Sequence, residues 1–426
     1  MWAVLGGTFT LRFSTGLTGA MLGVYLAKLP EHGGPEVAAT TLAILHATFY
    51  LSELVLSPLF GILSDRLGHH RVMLFGPAFG AVAVILTGLT TNLLILGGTR
   101  LLEGASTAAS VPSILGYIAL ATAGNELLRG KAAARFEGAT LAGLGVGFAT
   151  APLLFDAFGP AAFFLNAVVY GISFLIYQFG VEDRDREERQ AAAAERKSRM
   201  DLARYAVLLR TSHVWLLAPT WIAVNASIGL WFSQSIFQFS KADPRFPDQF
   251  LLQGFSPVEI SLAAVVIGVL FGAGLLYWGD RFKSLRRTTI ILYGILGGAL
   301  LVVAGAVVNH QAGWPSFVPV VAVVAAAFGL FVLAGATPAA LGLLADISER
   351  FPTDRGAIMG LYSVFLAVGQ IVGSLIGGIS ADWRGIDGLL LATFVMLAIA
   401  LVPLAQLRRH EHYVGGPATP AMIDDE

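Results

Sequence analysis

Residues 61–71 read GILSDRLGHHR, a dense run of charge and imidazole between two segments that are almost wholly apolar. Residues 37–60 hold one acid, Glu53, and one histidine, His46, while residues 72–99 hold no charge at all. Apolar blocks of roughly 20 residues are long enough to cross a bilayer, and a short polar interval between two of them reads as the turn joining two crossing helices. The rest of the chain follows the same pattern. Its 426 residues are 56% hydrophobic and only 13% charged, against roughly 25% charged in a soluble domain. This composition predicts a polytopic membrane protein.

Working outward from the turn, the apolar blocks predict twelve spans, at about 5–28, 38–60, 72–90, 92–120, 137–156, 161–180, 214–238, 258–278, 288–308, 316–344, 357–381 and 388–407. The blocks are continuous and too long for the alternating strands of a barrel, so the expected class is all-α. Twenty-one of the 27 Lys and Arg residues fall in loops after even-numbered spans, in the linker between spans 6 and 7, or in the C-terminal tail. Positive charge marks the cytoplasmic side, so both termini are expected there, in an inner or plasma membrane. The expected division is an N-terminal six-helix bundle over residues 1–181, a charged cytoplasmic linker over 182–212, a C-terminal six-helix bundle over 213–410, and a disordered tail over 411–426.

The charge balance, formally −1, gives no support to a nucleic-acid partner, and zero cysteines exclude disulfides and thiolate chemistry. No cleavable signal peptide is expected, because the start lacks a basic region and runs directly into an apolar segment. The opening MWAVLGG leaves almost no tail, which puts the position of the natural start in question. No GxxxxGK[ST] stretch occurs, so ATP drive from this chain is not expected. The halves also look related. A displacement of 226 residues carries Arg129–Gly130 to Arg355–Gly356, Gly143 to Gly369, Gly147 to Gly373 and Asp156 to Asp382. Six spans separate the copies, which makes the repeat parallel in topology.

In the turn itself, Gly61 is expected to let two helices approach, Asp65 to cap or pair, and Gly68 to permit the reversal. Gly61-x-Leu63-x-Asp65-Arg66-x-Gly68-x-x-Arg71 resembles the loop 2–3 signature of the major facilitator superfamily, with a degenerate second copy at Trp278–Arg287. Arg100-x-x-Glu103-Gly104 resembles that family's span-4 arginine motif, and Gly138–Pro152 its span-5 antiporter motif more loosely. The resemblance covers all twelve spans. It implies a drug/proton-antiporter-like carrier with two bundles rocking about a midplane cavity. It also implies a cytoplasmic latch, with Asp65 facing the start of span 11 near Gly356 and Arg66 or Arg71 reaching Glu126. His69-His70 departs from the usual basic pair. It reads either as a pH-sensitive element of the latch or as two exposed imidazoles standing in for positive charge.

Charges inside the bilayer are costly, about 2.5–3.5 kcal/mol each at the least, and mark candidate sites. Arg100 and Glu103 stand one turn apart, so they either neutralise each other or form a proton carrier and its regulator. His46, Tyr50 and Glu53 form one stripe on span 2, which makes Glu53 a second proton-coupling candidate or else an interhelical hydrogen-bond partner. Arg12 lies on span 1, facing a substrate or snorkelling to headgroups. On span 7, Trp221 and Asn225 share one face, and Trp231, Gln234 and Gln238 lie on another. These read as a stacking and hydrogen-bonding surface for an amphipathic solute, or as interhelical amide contacts. Ser256-Pro257-Val258-Glu259 is a capping box, which removes Glu259 from the candidates. The 7–8 loop, KADPRFPDQFLLQGF, reads as a disordered loop or a partial lid.

The function these residues support is secondary transport, not enzymatic catalysis. The expected partners are protons, a small solute and the lipid bilayer, with no cofactor and no metal, and the expected state is a monomer. Efflux of an amphipathic compound is the leading expectation. A symporter or uniporter for a sugar or organic anion, a lipid flippase and a non-transporting sensor are the alternatives.

Overall fold

The computed structural model describes residues 1–122, 126–182, 214–281, 284–349 and 355–410. The predicted linker and tail, apart from Glu182, therefore lie outside the described residues. Among those described, the chain is helical: α1 (Trp2–Ala27), α2 (Ala39–Leu67), α3 (His69–Gly88), α4 (Leu93–Ala121), α5 (Glu126–Phe158), α6 (Ala161–Gly180), α7 (Val214–Phe239), α8 (Pro257–Asp280), α9 (Arg287–Asn309), α10 (Phe317–Leu333), α11 (Ala336–Glu349) and α12 (Arg355–Arg409). Among the described residues, ten segments are long and apolar enough to cross a membrane.

That set leaves out α1, whose Thr, Ser and Arg residues dilute its hydropathy. Most of its hydroxyls are satisfied within the helix: Thr8 donates to the Val4 carbonyl, Thr15 to Leu11 and Thr18 to Ser14. A polar helix can sit among apolar neighbours when its donors are satisfied this way. The apolar stretch Ser363–Arg409 is the opposite case, with 47 residues in one segment. A straight helix of that length would reach roughly 70 Å, more than twice the hydrocarbon thickness. It is not straight, because Arg384 (φ −140°, ψ 20°) and Gly385 (φ 59°, ψ −135°) leave helical geometry and divide α12 into two legs. Positive φ at Gly385 is a conformation that costs little only without a Cβ.

The chain separates into two compact units. One comprises Met1–Arg199, Phe232–Pro244 and Leu252–Val265, and the other Met200–Trp231, Arg245–Leu251 and Val266–Glu426. In the first unit α1 packs against α5 and α6. A Cβ at Gly143 would meet the Phe9 carbonyl and Arg12, and one at Gly147 would meet the Phe13 carbonyl. On the α6 side, Ser173 donates to the Gly7 carbonyl (2.9 Å), and Asn166 donates to the Ser14 carbonyl (3.1 Å) and Thr18 (2.8 Å). In the second unit a core of Val214, Trp221, Ile291, Ala336, Leu343, Leu397 and their neighbours binds α7, α9, α11 and α12.

The second unit repeats the first unit's crossing. A Cβ at Gly369 would meet the Ile222 carbonyl and Asn225, and one at Gly373 would meet the Ala226 carbonyl. Phe9, Arg12 and Phe13 on α1 therefore correspond to Ile222, Asn225 and Ala226 on α7. The glycine register read from the sequence thus recurs as a contact register.

The turn after α2 reverses at Gly68 (φ 97°, ψ 140°), whose N–H donates to the Ser64 carbonyl at 2.9 Å. Two expectations about this turn need correction. A Cβ at Gly61 would find its nearest neighbour, Pro112, at 3.8 Å, so close approach does not require glycine there. His69 and His70 are buried rather than exposed. His69 Nδ1 lies 3.1 Å from Ser64 Oγ, and His70 Nε2 lies 3.0 Å from the Tyr177 carbonyl. The imidazoles are packed between α3, α4 and α6 because α3 begins at His69, which turns both rings inward. Arg66 and Arg71 are exposed, and the surroundings of Asp65, Glu126 and Gly356, on which the latch depends, are not among those described.

Candidate solute and proton site

Helix α4 starts at Asn92, whose side chain accepts from the Leu94 and Ile95 amides, and this start sets the helical phase. That phase turns Arg100 and Glu103 into the interior of the first unit. The guanidinium donates to Glu103 Oε2, and both side chains are almost completely buried, at 3% and 2% exposure. The Phe49 ring lies 4.9 Å from the Arg100 guanidinium carbon, and Tyr170 OH is 3.5 Å from Glu103 Oε1. Arg100 Nε has no hydrogen-bond partner among the described residues. The pair neutralises itself in dry surroundings.

Glu53 is different. It is only half buried, on α2, and the half-buried Arg12 of α1 lies within electrostatic reach. The exposed Glu137 of α5 also lies within electrostatic reach of Arg12. Tyr50 lies within reach of Glu53, Arg100 and Arg12, and His46 within reach of Arg100. The stripe predicted on α2 therefore lies within electrostatic reach of the residues predicted on α1 and α4. Sequence reading missed Glu137, because the fifth span was drawn to open at that residue and its acid was taken as a boundary. The membrane-crossing part of α5 in fact begins at Ala134.

On α7, Trp221 is 2% exposed within the second unit's core, and Asn225 donates to the Trp221 carbonyl at 2.9 Å. Trp231 is half buried and donates to Thr393 Oγ1 at 2.9 Å. Gln234 and Gln238 are buried, and Gln234 donates to the Ala39 carbonyl at 3.2 Å. In this conformation the face is engaged in helix packing, with Trp231 its most accessible ring. Glu259 caps α8 as predicted: the Ser256 N–H donates to it at 2.8 Å and the Ser256 hydroxyl at 2.7 Å. A second interior ion pair escaped sequence reading. Arg287 of α9 donates to Asp346 and to the Gly342 carbonyl of α11, partners 59 and 55 residues away.

Crossing helices long and apolar enough for a bilayer, with charges held inside the bundle, are the architecture of a polytopic membrane protein. The family model described as Major Facilitator Superfamily matches residues 4–244 and 246–421. The chain belongs to that superfamily of multi-pass membrane transporters. It is 26% identical over 380 residues to "Multidrug resistance protein 2" of Bacillus subtilis (strain 168), covering 85% of both chains. It is 24% identical over 410 residues to "Quinolone resistance protein NorA" of Staphylococcus aureus (strain MSSA476), covering 93% of this chain and 94% of that one. Among solved structures it is similar to the nucleoside transporter NupG, with a TM-score of 0.69 and 13% identity, over 96% of this chain and 98% of that one. At that identity the likeness concerns the fold alone.

Proposed function

We propose that this chain is a twelve-pass, proton-coupled exporter of small amphipathic compounds working by alternating access, with both termini in the cytoplasm of a cell bounded by its plasma membrane. Export is supported by full-length similarity to two proteins named for drug resistance. Twelve passes follow if α1 crosses despite its polarity and the two legs of α12 cross separately. The sidedness of Lys and Arg supports the orientation.

The observation that carries the coupling proposal is Glu53, half buried in a membrane-crossing helix with Arg12 of α1 within electrostatic reach. A half-buried carboxylate within reach of a cation, yet not locked into an ion pair with it, can exchange a proton without first breaking a buried pair. Glu103 remains a second candidate, but its exchange must first break the Arg100 pair. Tyr50, His46 and Trp231 are the side chains proposed to meet solute.

In proteoliposomes with an imposed pH gradient, Glu53→Gln is expected to lower gradient-driven flux at least tenfold while leaving solute binding measurable. Gradient-driven flux that survives both Glu53→Gln and Glu103→Gln would overturn the assignment of the coupling residues.

A further inference from the structure

Asn309 and His310 close α9, Asp387 opens the second leg of α12, and the segment Arg245–Leu251 belongs to the same unit. His310 stands between two carboxylates. Its Nε2 lies 2.9 Å from both oxygens of Asp387, and its Nδ1 lies 3.5 Å from Asp248 Oδ2. A neutral imidazole has one N–H, so it can donate to one of these acids while presenting a lone pair to the other; an imidazolium donates to both. We propose that protonation of His310 fastens the 245–251 segment to the α9–α12 corner, forming a proton-responsive clasp on the arginine-poor face of the protein.

Uncharged bonds hold the segment at any pH. Gln249 Oε1 accepts from the Ile386 amide (2.9 Å) and the Asp387 amide (3.4 Å), and its Nε2 donates to the Arg384 carbonyl (2.9 Å). The Leu251 amide donates to Asn309 Oδ1 at 3.1 Å, and Asn309 Nδ2 donates to Asp387 Oδ1 at 2.8 Å. Two arginines lie nearby. Arg245 reaches the Asp382 carbonyl at 3.4 Å, and the Arg384 guanidinium lies 4.7 Å from the Trp383 ring centroid. Two carboxylates face the ring, Asp248 from the loop and Asp387 from α12. The carboxylates lie on opposite sides of the ring, and no group of three or more His, Asp or Glu among the described residues is arranged to hold a metal. The ligand of this site is therefore the proton. The clasp tightens as the surrounding medium acidifies and loosens as pH rises, because only the imidazolium donates to both acids.

This inference rests on the proposed orientation, which puts His310 in the medium outside the cell. The chain has no cysteine, so Leu251→Cys supplies a single thiol at the edge of the clasp. Its reaction with a membrane-impermeant maleimide in intact cells is compared, at external pH 5.5 and 7.5, with the same reaction in a His310→Gln background. Because each comparison is made at one pH, the thiol's own ionisation cancels. At pH 5.5 the parent is expected to react about two- to fivefold more slowly than the variant, the range of an exposed ion pair. At pH 7.5 the two are expected to match. Asp248→Asn, which removes one acceptor without touching α9, is expected to act like His310→Gln and provides the reading if that variant fails to fold. A rate ratio that is the same at both pH values would overturn the clasp. Reaction with a membrane-permeant reagent alone would instead overturn the orientation, and the clasp would then be judged by the same ratio measured with that reagent.

Discussion

Arg100 and Glu103 illustrate how a buried ion pair divides stability from function. Both side chains are sealed, so removing one leaves the other as an uncompensated charge in an apolar interior. Such a loss costs about 3–5 kcal/mol, whereas replacing both partners with apolar residues of similar volume is often neutral. Arg100→Met or Glu103→Leu alone is therefore expected to lower the melting temperature in detergent markedly, and the Arg100→Met/Glu103→Leu double variant to recover most of the loss. A double variant no more stable than either single one would show that the pair does more than balance itself. The one-turn spacing of these two residues was legible in the sequence, because helical geometry alone brings them together. That Arg12 lies within electrostatic reach of both Glu53 and Glu137 was not, because it depends on how three helices far apart in the chain are rotated about their axes. His69 and His70 were misread for a related reason: a polar pair beside a turn looks exposed until the start of the next helix fixes its direction.

At the level of elements, backbone contact without side chains holds α1 to α5 and α7 to α12. Gly147 and Gly373 lie against the Phe13 and Ala226 carbonyls, while Gly145, two residues from Gly147, has open space around the position of a Cβ. Gly147→Ala and Gly373→Ala are each expected to destabilise the protein by about 1–3 kcal/mol through overpacking, while Gly145→Ala is expected to be neutral or slightly stabilising. Thermal unfolding of the three purified variants checks this, and equal losses at all three positions would contradict it. Helix existence was the easiest feature to read, since long apolar blocks have few other stable forms. The predicted sixth span coincides with α6, and the predicted seventh differs from α7 by one residue. The 7–8 loop was harder, because its order comes from scattered side-chain bonds, such as those of Gln249, that no local pattern announces.

Across the whole molecule, charge is distributed unequally between the related halves. Arg12, Glu53, Arg100, Glu103 and Glu137 all lie in the first unit, while Asn225 occupies the position on α7 that matches Arg12 on α1. The second half thus keeps the packing plan but carries its interior charge elsewhere, in the Arg287–Asp346 pair. The twelve-pass reading makes a separate prediction. Single cysteines from Glu31→Cys, Arg245→Cys and Arg384→Cys are expected to react together with an impermeant reagent in intact cells. Those from Arg66→Cys and Arg408→Cys are expected to react only after permeabilisation. Reaction of the Arg384 and Arg408 positions from the same side would show that residues 355–409 do not cross twice.

The abrupt reversal at Arg384 and Gly385 also has a practical side. Two residues of slack cannot absorb an inserted epitope or fluorescent fusion, so any graft there must pry apart both legs and the Gln249 bonds that bridge them. The longer connection between α1 and α2, by contrast, offers spare backbone, and it is there that a reporter would be carried without disturbing its host.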